Sequence, residues 1–119
     1  MNQEPETAPL LDRSAALERI GGDEELLREI ARLFLSEYPL LIQEIRLAIE
    51  NGDTEALERS AHSLKGSVAN FEARCAVDAA FRLETLGRNR SLDRVGPALA
   101  DLEAAFESLN PELKRLSSE

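Results

Sequence analysis

Leu57-Glu58-Arg59-Ser60-Ala61-His62-Ser63-Leu64-Lys65-Gly66-Ser67-Val68-Ala69-Asn70-Phe71 is the stretch from which the rest of this chain is best read. Leu57, Ala61, Leu64, Val68 and Phe71 recur three and four residues apart, the spacing of a helix that packs in a bundle. At about 100° per residue, His62 points nearly opposite that stripe. Lys65 and Gly66 share its face, as do Glu58, Arg59 and Ala69. The helix therefore has a core side without the histidine and an outer side that carries it.

The flanking segments repeat the pattern. Leu10 to Ile20 reads as a short helix with Leu11, Ala15, Ala16, Leu17 and Ile20 on one side, closed by Gly21-Gly22. Asp23 is an N-cap, and Leu26, Ile30, Leu33, Phe34, Leu41, Ile45 and Ala48 follow at helical spacing. Pro39 interrupts that line without shifting its phase, which predicts a kink and not a break. Asn51-Gly52 ends the helix and Asp53 caps the next, from about Thr54 to Phe71. A further helix spans about Ala73 to Arg88, with Ala76, Ala79, Ala80, Leu83 and Leu86 inward. The last covers about Leu92 to Leu109, where Asn110-Pro111 bends or ends it, with Leu113 and Leu116 continuing the packing. Residues 1–9, with Pro5 and Pro9, read as a disordered lead-in or linker. Residues 10–119 read as one all-α domain, an antiparallel four-helix bundle with a short extra N-terminal helix.

Composition narrows the function. The 119 residues carry a formal net charge of -9. Nothing supplies the phosphate neutralisation that nucleic-acid binding needs, and an anionic membrane surface is equally unfavourable. No apolar run reaches the roughly 18 residues of a span, and the N-terminus lacks the marks of a signal peptide. One cysteine, Cys75, excludes an internal disulfide and suits a reducing cytoplasm; its neighbours Ala73, Ala76 and Val77 suggest a small core residue. A single histidine makes a Cys/His metal site untenable, and no metal is expected. Arg74, Arg82, Arg88, Arg90 and Arg94 make residues 73–94 locally basic, either as a solvated face or as a rim for an acidic partner.

Chemistry concentrates at His62. A neutral imidazole, with an ordinary pKa of about 6.5, is a nucleophile near neutral pH. Glycine inside a helix costs roughly 1 kcal/mol relative to alanine, so Gly66 beside the histidine suggests that a bulky group must come close. Lys65, one turn on, is placed to neutralise oxygens on a modified ring. Ser63 and Ser67 are further donors, although serines within helices often bond back to the backbone. No second group completes a hydrolase site.

The segment His62-Ser63-Leu64-Lys65-Gly66-Ser67, followed by Asn70 and Ala73, resembles the signature of the histidine-containing phosphotransfer (HPt) domains of two-component phosphorelays. Gly21-Gly22-Asp23-Glu24-Glu25-Leu26, Phe34 before Pro39, Gly52-Asp53 and Leu83-Glu84 extend the resemblance over roughly residues 10–116. Glu72 departs from it, since many members have glycine at that helix end. The resemblance implies that His62 accepts the phosphoryl group, through Nε2, that Lys65 assists it, and that Gly66 gives access. Ala69, Arg59 and Ser63 would then belong to the docking face, with Glu84 and Ser67 behind the ring. It further implies a phosphoryl carrier without kinase activity, consistent with the lack of a Walker A motif or glycine-rich nucleotide loop. The partners would be a response-regulator receiver domain, which brings the acceptor aspartate and Mg²⁺, and a sensor histidine kinase. No cofactor of its own is expected. A monomer in the cytoplasm, or the cytoplasmic portion of a membrane-bound hybrid kinase, fits this reading. The alternatives are the phosphoacceptor domain of a chemotaxis-type kinase and a helical adaptor that is never phosphorylated.

Overall fold

A computed structural model describes residues 10–119, and the expected lead-in at 1–9 lies outside the described residues. Five α-helices follow in order: α1 Arg13–Arg19, α2 Glu24–Asn51, α3 Thr54–Val68, α4 Arg74–Arg88 and α5 Val95–Ser118. Single 3₁₀ turns, Ala69–Phe71 and Leu92–Arg94, extend α3 and lead into α5. Among the described residues there is no strand, and no helix is long and apolar enough to cross a membrane.

Local chemistry sets the helix starts. Asp12, Asp23 and Asp53 each accept a hydrogen bond at 3.0 Å from the backbone N–H three residues on, satisfying one of the donors a helix start leaves open. Gly52, at φ 67°, closes α2 in the left-handed region that glycine enters without penalty. Glu72 occupies the same region at φ 54°, a conformation that favours glycine, so the turn after α3 holds a residue with a side chain in the left-handed region. Its carboxylate pairs with Arg19 of α1, which ties the strained turn to the N-terminal helix.

Helices α2, α3, α4 and α5 form a closed bundle in which α3 lies against α2 and α4, and α5 against the same two. The expected stripes of α3 and α4 face inward: Leu57, Ala61, Leu64, Val68 and Phe71 are buried, as are Ala76, Ala80 and Leu83, with Ala79 and Leu86 packed on the margin. Phe34, Tyr38, Phe71 and Phe106 cluster, with paired ring centroids 5.2–6.1 Å apart. Burial of these apolar surfaces, at about 25 cal/mol per Å², holds the helices together.

Four expectations need correction. α2 buries Leu27, Ala31, Phe34, Ile42, Ile45 and Ala48, while Leu26 and Leu33 are exposed. Two apolar lines run down α2, and the bundle takes the other one at its N-terminal half. Cys75 is exposed, because Ala76 and Ala80 set the inward phase of α4 and Cys75 lies about 100° away from it. α5 runs through Pro111 to Ser118, since Leu113 and Leu116 remain in phase with the core. The hydrogen bond Pro111 cannot donate would have gone to Glu107, an exposed residue whose carbonyl can turn to water. α1 is also shorter than expected, beginning after its cap at Asp12. Pro39, as expected, does not break α2.

Candidate functional site

The outer face of α3 acquires its geometry from α4. At Gly87 the two helices approach so closely that a Cβ would lie 2.8 Å from the backbone N of Glu58 and 2.9 Å from the carbonyl of Thr54. This glycine makes room for backbone. One turn earlier on α4, Glu84 lies level with His62, and another turn earlier Phe81 lies level with Lys65. The antiparallel crossing thus brings the Glu84 and Phe81 side chains of α4 against His62 and Lys65 of α3.

His62 is on the surface, its side chain 66% exposed, whereas the Glu84 side chain is only 3% exposed. The ring Nδ1 lies 3.0 Å from Glu84 Oε2. Arg88 donates to the same oxygen at 2.8 Å and, through Nε, to Glu58 at 2.9 Å. The other carboxylate oxygen, Oε1, is buried and receives no well-angled hydrogen bond; Lys65 Nζ lies 2.7 Å from it as an ion pair. The Lys65 ammonium compensates for the burial of that oxygen.

Burial is the largest influence on Glu84 and pushes its pKa up, but Lys65 and His62 together outweigh it and hold the carboxyl below its ordinary value. Glu84 is therefore ionised at neutral pH and can only accept hydrogen bonds. It follows that Nδ1 carries the proton in the His62–Glu84 contact. A neutral ring in that tautomer presents Nε2 outward with its lone pair unshared. The site is an exposed nitrogen nucleophile backed by a buried anion.

The remaining expected residues divide into two groups. Gly66 is exposed, and a Cβ built there meets nothing within 4 Å, so no close helix packing within this chain calls for a glycine. Arg59 and Ser63 are exposed and line a groove between α2 and α3 together with Glu44, Leu47 and Ser60. Ala69, at the C-cap of α3, and Ser67 are half-buried and lie beyond the His62–Glu84 contact; the Ser67 carbonyl accepts from Asn70. Lys65 is less exposed than an outward-facing lysine would be, at 26% of its side chain, because it leans onto Glu84. Glu58, expected on the His62 face of α3, joins the site through Arg88. Arg88 and Phe81 join it without having been singled out for it from sequence; their only local signal is spacing on α4, where Phe81, Glu84 and Arg88 fall on one helix face.

A model of the Hpt domain family matches residues 29–112, which span α2 to α5 and include every residue of this site. Among solved structures, the crystal structure of histidine-containing phosphotransfer protein B (HptB) from Pseudomonas aeruginosa PAO1 superposes with a TM-score of 0.82 at 25% identity. The match covers 94% of this chain and 97% of that one. No curated protein gives a significant match.

Proposed function

The chain belongs to the Hpt domain family, and from that premise we propose that it carries its phosphoryl group on Nε2 of His62 and exchanges it with an aspartate of a response-regulator receiver domain. It is a histidine-phosphotransfer intermediate of a phosphorelay, a family of phosphocarriers and not of kinases. The observation that carries the assignment to His62 is the contact between its Nδ1 and buried Glu84, which leaves Nε2 exposed as a nucleophile.

The transfer balances without a separate base. The Nε2 lone pair attacks phosphorus, the bond from phosphorus to the aspartyl oxygen breaks, and the carboxylate leaves with that electron pair. The proton stays on Nδ1, so the ring becomes cationic as the N–P bond forms. Glu84 stands beside that developing charge, and Lys65 is within reach of the phosphoryl oxygens. The return step reverses each movement. In-line transfer also needs a metal and an acidic pocket. In this proposal Mg²⁺ and the pocket belong to the receiver, and the chain acts as a monomer in the cytoplasm, alone or as part of a hybrid kinase.

The docking face would include Gly66, Arg59 and Ser63, continued by the outer side of α2. Leu33, Leu40 and Leu47 are exposed there at seven-residue intervals, with Leu47 on the wall of the groove that Ser63 lines. Apolar side chains in such a row mark a contact surface.

Phosphotransfer from a labelled receiver domain tests the assignment. Wild-type chain is expected to take up phosphate and the His62→Gln variant to take up none. Equal labelling of both would reject His62 as the acceptor.

A further inference from the structure

The chain has five aromatic residues, four Phe and one Tyr. Four of them, Phe34, Tyr38, Phe71 and Phe106, form the aromatic cluster of the core. Phe81 stands apart, 48% exposed on the outer side of α4. A single exposed apolar residue is unremarkable by itself. This one has a partner: the Lys65 ammonium lies over its ring, 4.9 Å from the centroid. The same ammonium is 2.7 Å from Glu84 Oε1. Lys65 is thus held between a ring face and a buried carboxylate, and the carboxylate's other oxygen touches His62.

We propose that Phe81 is a positioning residue for phosphoryl transfer: its ring holds the Lys65 ammonium beside Glu84, and so beside His62, where the phosphoryl oxygens arrive. The proposal rests on His62 being the phosphoacceptor. A lysine has four rotatable side-chain bonds, and on an open helix face its ammonium spreads over many solvated positions. The face of an aromatic ring attracts a cation through its quadrupole, and its flat surface covers the aliphatic stem. Leucine in place of Phe81 keeps an apolar side chain but removes the quadrupole. Tryptophan keeps it and strengthens it.

The test uses the full chain and phosphoramidate, a small phosphodonor that requires no protein partner, so docking does not enter. Rates of His62 labelling are followed for wild type, Phe81→Leu, Phe81→Trp, Lys65→Gln and the double variant Lys65→Gln/Phe81→Leu, with far-UV circular dichroism to verify folding. Phe81→Leu is expected to label roughly two- to fivefold more slowly, in line with an exposed cation–π contact. Phe81→Trp should match or exceed wild type, and Phe81→Leu should add nothing once Lys65 is Gln. Wild-type labelling by Phe81→Leu, the same loss in Phe81→Trp, or an undiminished Phe81→Leu effect in the Lys65→Gln background would each overturn the proposal. Labelling of His62→Gln would instead strike the assignment of the acceptor, which separates the two failures.

Discussion

Replacing Gly87 with alanine adds one methyl group at the closest approach of α3 and α4. Its ideal position is 2.8 Å from Glu58 N, 2.9 Å from Thr54 O and 3.1 Å from Glu58 Cα. All three are backbone atoms, so no side chain can rotate out of the way, and the helices must part by several tenths of an ångström. Overpacking of this kind costs typically about 1–3 kcal/mol. Alanine offsets part of it, since it favours a helix interior over glycine by about 1 kcal/mol. The net expectation is a loss of about 1 kcal/mol, reaching about 2 where the helices yield least. Urea unfolding followed by far-UV circular dichroism measures it. The control is Gly66→Ala, the same chemical change on the opposite helix, where a Cβ meets nothing within 4 Å and the backbone is helical. There only the propensity gain applies, so stability should rise by about 0.5–1 kcal/mol. Opposite signs at the two glycines support the packing derived for Gly87. A Gly87→Ala variant as stable as Gly66→Ala would refute it, because propensity alone would then account for both.

Gly66→Ala should also take phosphate from a receiver more slowly while labelling normally with phosphoramidate, since the added methyl obstructs a partner and not a small donor. Glu84→Gln should slow transfer about five- to tenfold, the difference between a charged and a neutral hydrogen bond to the ring. Glu84 also makes stability depend on pH. Its pKa is lower folded than unfolded, so its contribution is present above the unfolded value and lost as pH falls through the folded one. The gap in urea midpoint between wild type and Glu84→Gln should therefore be full at pH 7 and shrink below the ordinary value of 4.5; a gap unchanged at pH 3 would show that Glu84 acts only by packing. Leu40→Gln should raise the KM for a phosphorylated receiver and leave unfolding nearly unchanged, as Leu40 is 61% exposed. A normal KM would remove the leucine row of α2 from the docking face.

How much of this was legible in the sequence depends on the range of the interaction. The inward stripe of α3 could be read because its apolar positions form one line and the outer face is polar. α2 offered two lines, and Leu26 and Leu33 could not be told from Leu27, Ala31 and Phe34 without knowing where α3 and α5 lie. Pro111 reads as a bend or an end because a proline's local cost is visible; that the helix continues through it follows from the burial of Leu113 and Leu116, whose place in the packing the spacing suggests. The same division runs through the site. His62, Lys65 and Gly66 share a helix, so their common face follows from spacing. The resemblance to HPt domains pointed to Glu84, but its link to His62, and the roles of Arg88 and Phe81, arise from the α3–α4 register. That register brings the α3 backbone against Gly87, which in sequence looks like the end of a helix.

The division of exposure between His62 and Glu84 suits a group that must both receive and give. In the proposed exchange the nucleophile has to be exposed, because the aspartate it meets belongs to a separate receiver domain. What orients it is buried, where its charge is less screened and less affected by whichever partner docks. Lys65 adds a restraint. Its ammonium is already paired with Glu84, so turning to a phosphoryl group costs it that contact. Arg88 remains on Glu84 and limits the cost of leaving the carboxylate uncompensated. The net hold on the phosphoryl group is then weaker than that of an unpaired lysine. In the proposed exchange, a carrier that bound its cargo with the full strength of a free ammonium would disfavour the reverse step, and the pairing of Lys65 with Glu84 works against that excess.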